Sequence, residues 1–181
     1  ADKEEDAKHP KKKNRPVASE KISSSQAKIF AAAMGIFSLL LSVWLGKIFF
    51  FIVSIYILIN VFYSLSLKHI PVLDILIVSS GFLLRIFGGG ILADVPISNW
   101  IVVMTFLLAL FLALAKRRDD VLLFNDSGEK MRRAVDGYNL EFINAAMTAM
   151  AAVIVVSYIM YSLSEEVMQR IGSNKIYFTT V

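Results

Sequence analysis

The chain opens on a short segment in which carboxylates are followed directly by cations. Asp2 and Asp6 are four residues apart, so on a helix their side chains lie on the same face. Paired carboxylates suit Mg²⁺, whose coordination shell is completed by water and by substrate phosphates. Lys12 and Arg15 follow in the same segment, and arginine can bind phosphate oxygens through two parallel hydrogen bonds. The segment therefore indicates a metal-assisted diphosphate site; the alternative is a solvated charged tail that anchors to lipid headgroups.

A second charged stretch has the sequence Lys116-Arg117-Arg118-Asp119-Asp120. Further polar side chains follow it at Arg132, Arg133, Asp136 and Tyr138. Cations grouped at the end of a membrane span can bind phosphates in the interfacial zone. They can equally serve only to fix the orientation of the chain in the membrane.

A single arginine interrupts a long apolar run. Arg85 lies thirteen residues after Val72, which is about 20 Å along a helix axis. A charge at that depth is costly in lipid, so it usually faces a cavity or a partner. Asp74 lies three helical turns earlier on nearly the same face, and Gly88, Gly89 and Gly90 would let another helix approach closely. Arg85 is a candidate for a functional cavity, and the alternative is a structural arginine that binds a backbone carbonyl.

Three more polar side chains, Tyr63, Lys68 and His69, stand just before Pro71. Lys68 can either bind a phosphate or fix the topology. His69 is expected to be an interfacial histidine with no ligand role.

The distribution of charge predicts the elements that position these residues. Of the 181 residues, 56% are hydrophobic and 19% are charged, with thirteen charges in residues 1–28 and twelve in residues 116–141. The uncharged runs between them would expose more apolar surface than a soluble domain tolerates. A helix needs about 20 apolar residues to cross the hydrocarbon core. The predicted spans are residues 29–46, 48–67, 72–93, 100–115 and 142–163, with the start of another at residue 176.

The fold class is therefore an all-α, polytopic transmembrane helix bundle. If residues 1–28 are cytoplasmic, the cytoplasmic segments hold fifteen lysines and arginines and the opposite side holds three, as the positive-inside rule requires. Both charged stretches, including a predicted cytoplasmic loop at residues 116–141, then lie on one side of the membrane. The net charge of +4 is first an orientation signal, so no nucleic-acid partner is expected.

Several kinds of chemistry are excluded by the sequence. It contains no cysteine, which rules out disulfides, thiolate metal sites and cysteine nucleophiles. It also contains no GxxxxGK[ST] phosphate loop, no HExxH zinc motif and no GxSxG nucleophile elbow.

The motifs together resemble the UbiA-type membrane prenyltransferase superfamily. The first segment reads D-x-E-x-D-x-x-H-P-x-K-x-x-R-P from Asp2 to Pro16 and is similar to the branch that contains decaprenyl-phosphate phosphoribosyltransferase. A second block reads YSLSLKHIPVLD from Tyr63 to Asp74, followed by SGF at 80–82 and LR at 84–85. A third block comprises Ala115-Lys116-Arg117 and, downstream, Gly137-Tyr138.

The resemblance implies a nine-helix bundle around a central cavity, of which this chain would supply about five complete spans. It also implies Mg²⁺-dependent transfer of 5-phosphoribose from phosphoribosyl diphosphate to a polyprenyl, decaprenyl-like phosphate. In that family the aspartates hold Mg²⁺ and the diphosphate, a role that falls here to Asp2 and Asp6 as metal-binding and catalytic residues. The candidate substrate-binding residues are Lys12, Arg15, Lys68, Arg85, Lys116, Arg117 and Tyr138.

The sequence departs from the family pattern in two places. The Asn-Asp that leads the first motif is absent before Ala1, which predicts that the chain is a piece of a longer protein. The longer protein would have two spans before this piece and about two after it. The piece alone is expected to be inactive. The second motif has Lys116 to Asp120 where aromatic prenyltransferases have DxxxD, so cations replace metal-binding carboxylates. That replacement suits the phosphoribosyl branch. We expect a multi-pass protein of the inner (plasma) membrane whose site faces the cytoplasm. Its product would serve cell-envelope glycan synthesis.

Two other functions remain open at this point. One is a prenyltransferase that moves a polyprenyl group from its diphosphate to an aromatic acceptor. The other is a transporter or scaffold that uses Arg85 and the glycines for helix packing, in which case replacing Asp2 and Asp6 with alanine would leave function unchanged.

Overall fold

The backbone is helical in each membrane-length segment of the computed structural model, which describes residues 3–8, 13–127 and 138–165. A short helix precedes five long ones, and no strand occurs within these ranges. The helices are α1 (Lys3–Lys8), α2 (Ser24–Leu45), α3 (Lys47–Leu65), α4 (Leu73–Ala93), α5 (Asn99–Ser127) and α6 (Leu140–Ser162), with a 3₁₀ turn at Leu67–His69 between α3 and α4. Helices α2 to α6 are each long and apolar enough to cross a membrane. The predicted all-α membrane bundle is therefore confirmed.

The ends of the helices reflect local capping that hydropathy does not report. Helix α2 begins five residues before the predicted span because Ser23 and Gln26 form a reciprocal capping box. The Ser23 hydroxyl accepts from the Gln26 backbone N–H at 3.2 Å, and the Gln26 side chain accepts from the Ser23 backbone N–H at 3.0 Å. Helix α6 begins at Leu140 because the side chain of Asn139 caps it by accepting from the N–H of Glu141.

The prediction of a loop from residue 116 was wrong for its first part, because α5 continues without a break to Ser127. Within this extension Arg117 and Asp120 are one helical turn apart, and they form an ion pair of 2.8 Å on one helix face. A charged sequence can remain helical where its side chains find partners, and hydropathy alone does not detect that. The remainder of the predicted loop at 128–137 and the predicted span start at residue 176 lie outside the described residues.

Neighbouring helices pack in chain order, α2 on α3, α3 on α4, α4 on α5 and α5 on α6. The buried core lies among α4, α5 and α6, because it uses the beginning of α4, the middle and later turns of α5, the residue Tyr138 just before α6 and the beginning of α6. Its buried members are Ile75, Leu110, Leu114, Val121, Tyr138 and Ile143. Helix α2, in contrast, exposes nearly its whole apolar surface, including a Trp44 that is 91% accessible. The most rigidly packed part of the described structure is therefore the end that carries the second charged stretch.

A glycine allows α3 and α4 to approach closely. Gly88 is buried, and a Cβ built on it would lie 3.2 Å from Cε2 of Phe49 and 3.6 Å from Cγ2 of Ile52 on α3. Membrane helices have little hydrophobic drive to associate, so close contact through small residues supplies much of their packing energy. The expectation that these glycines admit another helix is confirmed at Gly88.

We expect Gly88→Leu to force α3 and α4 apart and to lower the free energy of unfolding by about 1–3 kcal/mol. Gly89→Leu is the matched control, because no atom lies within 4 Å of a Cβ at that position. Thermal unfolding of the purified protein in detergent measures both. Equal changes in Tm for the two variants would contradict this packing.

Candidate functional site

A buried carboxylate stands at the start of α4. Asp74 is fully inaccessible, and its Oδ2 atom accepts from Nε of Arg117 on α5 at 2.5 Å. Its other oxygen, Oδ1, accepts from the hydroxyl of Tyr138 at 2.6 Å. A single carboxylate therefore joins α4, α5 and the segment that leads into α6.

Arg117 is equally enclosed. It is 4% accessible, and in addition to Asp74 its guanidinium donates to Asp120 at 2.8 Å. A buried guanidinium is tolerated when carboxylates and hydrogen bonds replace the water that it loses. We call Asp74, Arg117, Asp120 and Tyr138 the buried network.

Tyr138 reaches the network from outside the membrane helices. Its hydroxyl donates to Asp74 and accepts from the backbone N–H of Val72 at 2.7 Å. Burial and the hydrogen bond to Asp74 raise the pKa of the Tyr138 hydroxyl far above its usual value, so it stays protonated and keeps donating. This hydroxyl is engaged with the protein through both hydrogen bonds. The substrate-binding role of Tyr138 stays a prediction.

The predicted cations of the second stretch fall into two classes. Arg117 points into the buried network, where two carboxylates surround it, so its position does not match a free phosphate ligand. Lys116 and Arg118, on either side of it, are exposed. Arg118 also contacts α6, since its Nε donates to the side-chain oxygen of Asn144 at 2.9 Å. At this end of the bundle Lys116 and Arg118 are therefore exposed at the surface, whereas Arg117 is enclosed.

Lys68 and His69 lie in the 3₁₀ turn before α4, six and five residues before Asp74. Lys68 is buried, at 4% accessibility. The Nδ1 atom of His69 is also buried and makes no hydrogen bond to any residue that the structure describes. A buried polar atom without a protein partner normally has a water, an ion or a ligand as its partner. Sequence reasoning treated His69 as an interfacial histidine, and only the tertiary structure reveals the unpaired nitrogen.

The structure does not join Arg85 to Asp74, although both lie on nearly the same face of α4. Arg85 instead donates to the hydroxyl of Tyr56 at 2.5 Å, and its guanidinium lies over the rings of Tyr56 and Phe82, at 5.3 Å and 5.6 Å from their centroids. Tyr56 is midway along α3, so this guanidinium lies near the centre of the membrane. It lines a largely apolar cavity of about 320 Å³ between α3 and α4. The prediction of a cavity at Arg85 is met, but eleven residues of helix separate it from the buried network.

The first charged segment forms its own ion pairs. Asp6 and Arg15 are joined at 2.9 Å, with the Asp6 side chain 18% and the Arg15 side chain 56% accessible. Lys3 pairs with Glu20 at 2.7 Å, and the hydrogen bond from Lys3 lowers the pKa of the Glu20 carboxyl. The structure therefore brings the predicted metal ligand Asp6 and the predicted phosphate ligand Arg15 together. Asp2 and Lys12 lie outside the described residues.

The described residues include one of the two predicted metal ligands. Asp6 provides the type of hard oxygen donor that Mg²⁺ requires. Within residues 3–8, 13–127 and 138–165, no group of three or more histidine, aspartate or glutamate side chains could hold a metal ion. Because Mg²⁺ usually takes one or two carboxylates and completes its shell with water and substrate phosphates, Asp6 with Asp2 is a compatible donor set.

Comparison with known proteins points in one direction. Residues 1–126 match the UbiA prenyltransferase family. The chain is 34% identical over 165 residues to the decaprenyl-phosphate phosphoribosyltransferase of Mycolicibacterium smegmatis, covering 91% of this chain and 52% of that protein. It is 33% identical over 162 residues to the enzyme of the same name from Corynebacterium glutamicum, covering 88% of this chain and 49% of that protein. The chain thus spans about half the length of these relatives.

The fold also has a solved counterpart. A UbiA homolog from Archaeoglobus fulgidus superposes with a TM-score of 0.75 over 99% of this chain and 65% of its own, at 18% sequence identity. At that identity the likeness concerns the helical architecture.

We expect Asp74→Asn to lower the free energy of unfolding by about 3 kcal/mol, because it removes one of the two carboxylates that compensate the buried Arg117 charge. Asp94→Asn is the control, since Asp94 ends α4 in a left-handed conformation that asparagine also adopts readily. Chemical or thermal unfolding in detergent provides the comparison. If both variants are as stable as the unmodified protein, Asp74 does not hold the network together.

Proposed function

The chain belongs to the UbiA prenyltransferase family, and from that premise we propose that the whole protein transfers 5-phosphoribose from phosphoribosyl diphosphate to a polyprenyl phosphate. The observation that carries the proposal is the similarity, over 91% of the chain, to a protein named decaprenyl-phosphate phosphoribosyltransferase. The lipid acceptor would be decaprenyl-like, and the product would be a precursor for cell-envelope glycans. The site would face the cytoplasm from the inner membrane, where the soluble sugar diphosphate is present.

The charges at the end of α5 support this choice of substrates. Both substrates carry phosphates, and Lys116 and Arg118 are exposed beside the buried network. Because Asp74 and Asp120 engage Arg117, the buried network holds the end of α5 in place. Cations in the interfacial zone attract phosphate groups in both lipid and soluble substrates. In the alternative reaction only the polyprenyl diphosphate donor carries phosphates, so the aromatic acceptor adds no need for cations.

The chemistry requires neutralisation of charge and does not require a protein nucleophile. An oxygen of the lipid phosphate attacks the anomeric carbon of the 5-phosphoribosyl group. The bond from that carbon to the diphosphate oxygen breaks, and the electron pair leaves with the diphosphate. The developing charge on the diphosphate is stabilised by fixed cations, for which Lys12, Arg15, Lys116 and Arg118 are the proposed donors. The absence of nucleophile motifs from the sequence agrees with such a displacement.

Mg²⁺ belongs to the same proposal, with Asp2 and Asp6 as its protein ligands. When bound, the ion would neutralise the departing diphosphate and orient it. Arg15, which pairs with Asp6, lies close enough to that carboxylate to bind a phosphate oxygen on the same metal-bound group.

The transfer reaction is tested with membranes that contain the protein in its natural full length. Labelled phosphoribosyl diphosphate, polyprenyl phosphate and Mg²⁺ are supplied, and we expect label to enter the lipid phase with release of diphosphate. A parallel reaction supplies a polyprenyl diphosphate and an aromatic acid. Prenylation of the aromatic acid without labelling of the polyprenyl phosphate would show that the protein is an aromatic prenyltransferase instead.

We expect chelation of Mg²⁺ to abolish transfer and Asp6→Asn to lower kcat/KM by at least about 100-fold, because a metal ligand contributes several kcal/mol to transition-state stabilisation. Glu20→Gln is the matched control, since Glu20 is another carboxylate of the same segment in an ion pair with a lysine. It should change kcat/KM by less than about twofold. Full activity of Asp6→Asn would remove Asp6 from the proposed metal site.

A further inference from the structure

The backbone just before α4 has a positive φ at Val72, a conformation that valine rarely adopts. Val72 has φ 68° and ψ −46°, and the N–H of Leu73 donates to the carbonyl of Pro71 at 2.8 Å. These features define a γ-turn of the positive-φ form, which is the rarer and more strained of the two γ-turns. A β-branched residue is particularly unfavourable at positive φ. Strain of this kind persists only where surrounding contacts hold it, and it concentrates at functional sites.

A hydroxyl from a distant part of the chain holds this turn. The oxygen of Tyr138, 66 residues away, accepts from the N–H of Val72 at 2.7 Å and donates to Asp74 at 2.6 Å, two residues further on. Tyr138 is 6% accessible, so water does not readily replace either hydrogen bond. The Tyr138 hydroxyl thus holds the turn at two points, the N–H of Val72 and the buried carboxylate of Asp74 at the start of α4.

The γ-turn also fixes the residues that precede it. Lys68 and His69 form the 3₁₀ turn that leads into Pro71 and Val72, and the N–H of His69 donates to the carbonyl of Ser66 at 3.2 Å. Lys68 is buried, and the buried Nδ1 of His69 has no hydrogen-bond partner among the residues described. If the γ-turn relaxed, the direction of the chain at Pro71 would change and both side chains would move. The geometry of this polar turn therefore depends on Tyr138.

We propose that Tyr138 is a positioning residue whose hydroxyl holds the Val72 γ-turn in its strained form and thereby fixes the position of His69, whose Nδ1, unpartnered among the described residues, would donate to a phosphate group of the substrate. The role of Tyr138 is then indirect, through the turn. The statement about the substrate rests on the proposed function, whereas the statement about the turn stands on the backbone and hydrogen-bond geometry alone.

The turn is tested by hydrogen–deuterium exchange of the full-length protein in detergent, followed in a peptide that spans Lys68 to Leu76. Tyr138→Phe removes both hydrogen bonds, and we expect amide exchange in this peptide to become about tenfold faster. Tyr158→Phe, on α6 but outside the network, should leave the peptide unchanged. Unchanged exchange in Tyr138→Phe would overturn the proposal, whether or not the protein transfers phosphoribose.

The positioning role is tested by a rescue. Glycine adopts positive φ without steric penalty, so Val72→Gly added to Tyr138→Phe should allow the turn to form again without the hydroxyl. In the transfer assay we expect Tyr138→Phe to raise KM for phosphoribosyl diphosphate about tenfold with kcat changed less than about twofold, and the double variant to regain most of the loss. Val61→Gly in the same background is the control and should not restore KM.

The outcomes separate the two proposals. A wild-type protein without transfer activity would refute the proposed function, while the exchange experiment would still test the turn. If Tyr138→Phe alone does not fold, recovery of folded protein on addition of Val72→Gly supports the positioning role. Failure of Val72→Gly to restore either folding or KM would overturn it.

Discussion

The buried ion pair between Asp74 and Arg117 is the interaction on which the described end of the bundle depends. Both side chains are removed from water, so each would be strongly unfavourable without the other. The pair is completed by Asp120, which accepts from Arg117, and by Tyr138, which donates to Asp74. Because these four groups come from α4, from α5 and from the entry to α6, satisfying one charge requires all three segments to be correctly placed. The surrounding apolar core includes Ile75, Leu114 and Ile143. Because Asp74, Leu114 and Ile143 are all fully buried, this core excludes water from the pair.

The same constraint divides the charged residues by role. The buried charges of the network hold helices together, whereas Lys116 and Arg118 are exposed at the surface of the same helix end. Arg85 is a third case, since it lies in the membrane interior with a tyrosine hydroxyl and two aromatic rings as its partners and no ion pair with a carboxylate of the described segments. A guanidinium is tolerated there because the Tyr56 hydroxyl and the two aromatic faces reduce the cost of its charge. Arg85 and the buried network are therefore two separate polar sites in one apolar bundle.

The sequence was sufficient for the membrane bundle, because apolar runs of span length leave few alternatives in water or in lipid. The sequence was not sufficient to predict the length of α5. The helix continues through Arg117, and this depends on partners that tertiary packing supplies. The sequence singled out Asp74, Arg117 and Tyr138 but did not predict that these side chains contact one another. Helical periodicity placed Asp74 and Arg85 on one face, whereas Asp74 contacts Arg117, 43 positions away. The strain at Val72 and the unpaired nitrogen of His69 have no local sequence signal, because both follow from how distant segments meet.

Asp74 and Arg117 should act as one energetic unit, and a double-mutant cycle measures their coupling. The free energies of unfolding of Asp74→Asn, Arg117→Gln and the double variant are compared with that of the unmodified protein in the same detergent. We expect the double variant to be less destabilised than the sum of the single variants by about 2–3 kcal/mol, since removing both charges leaves neither one uncompensated. Additive effects, within about 0.5 kcal/mol, would show that the two residues are not coupled.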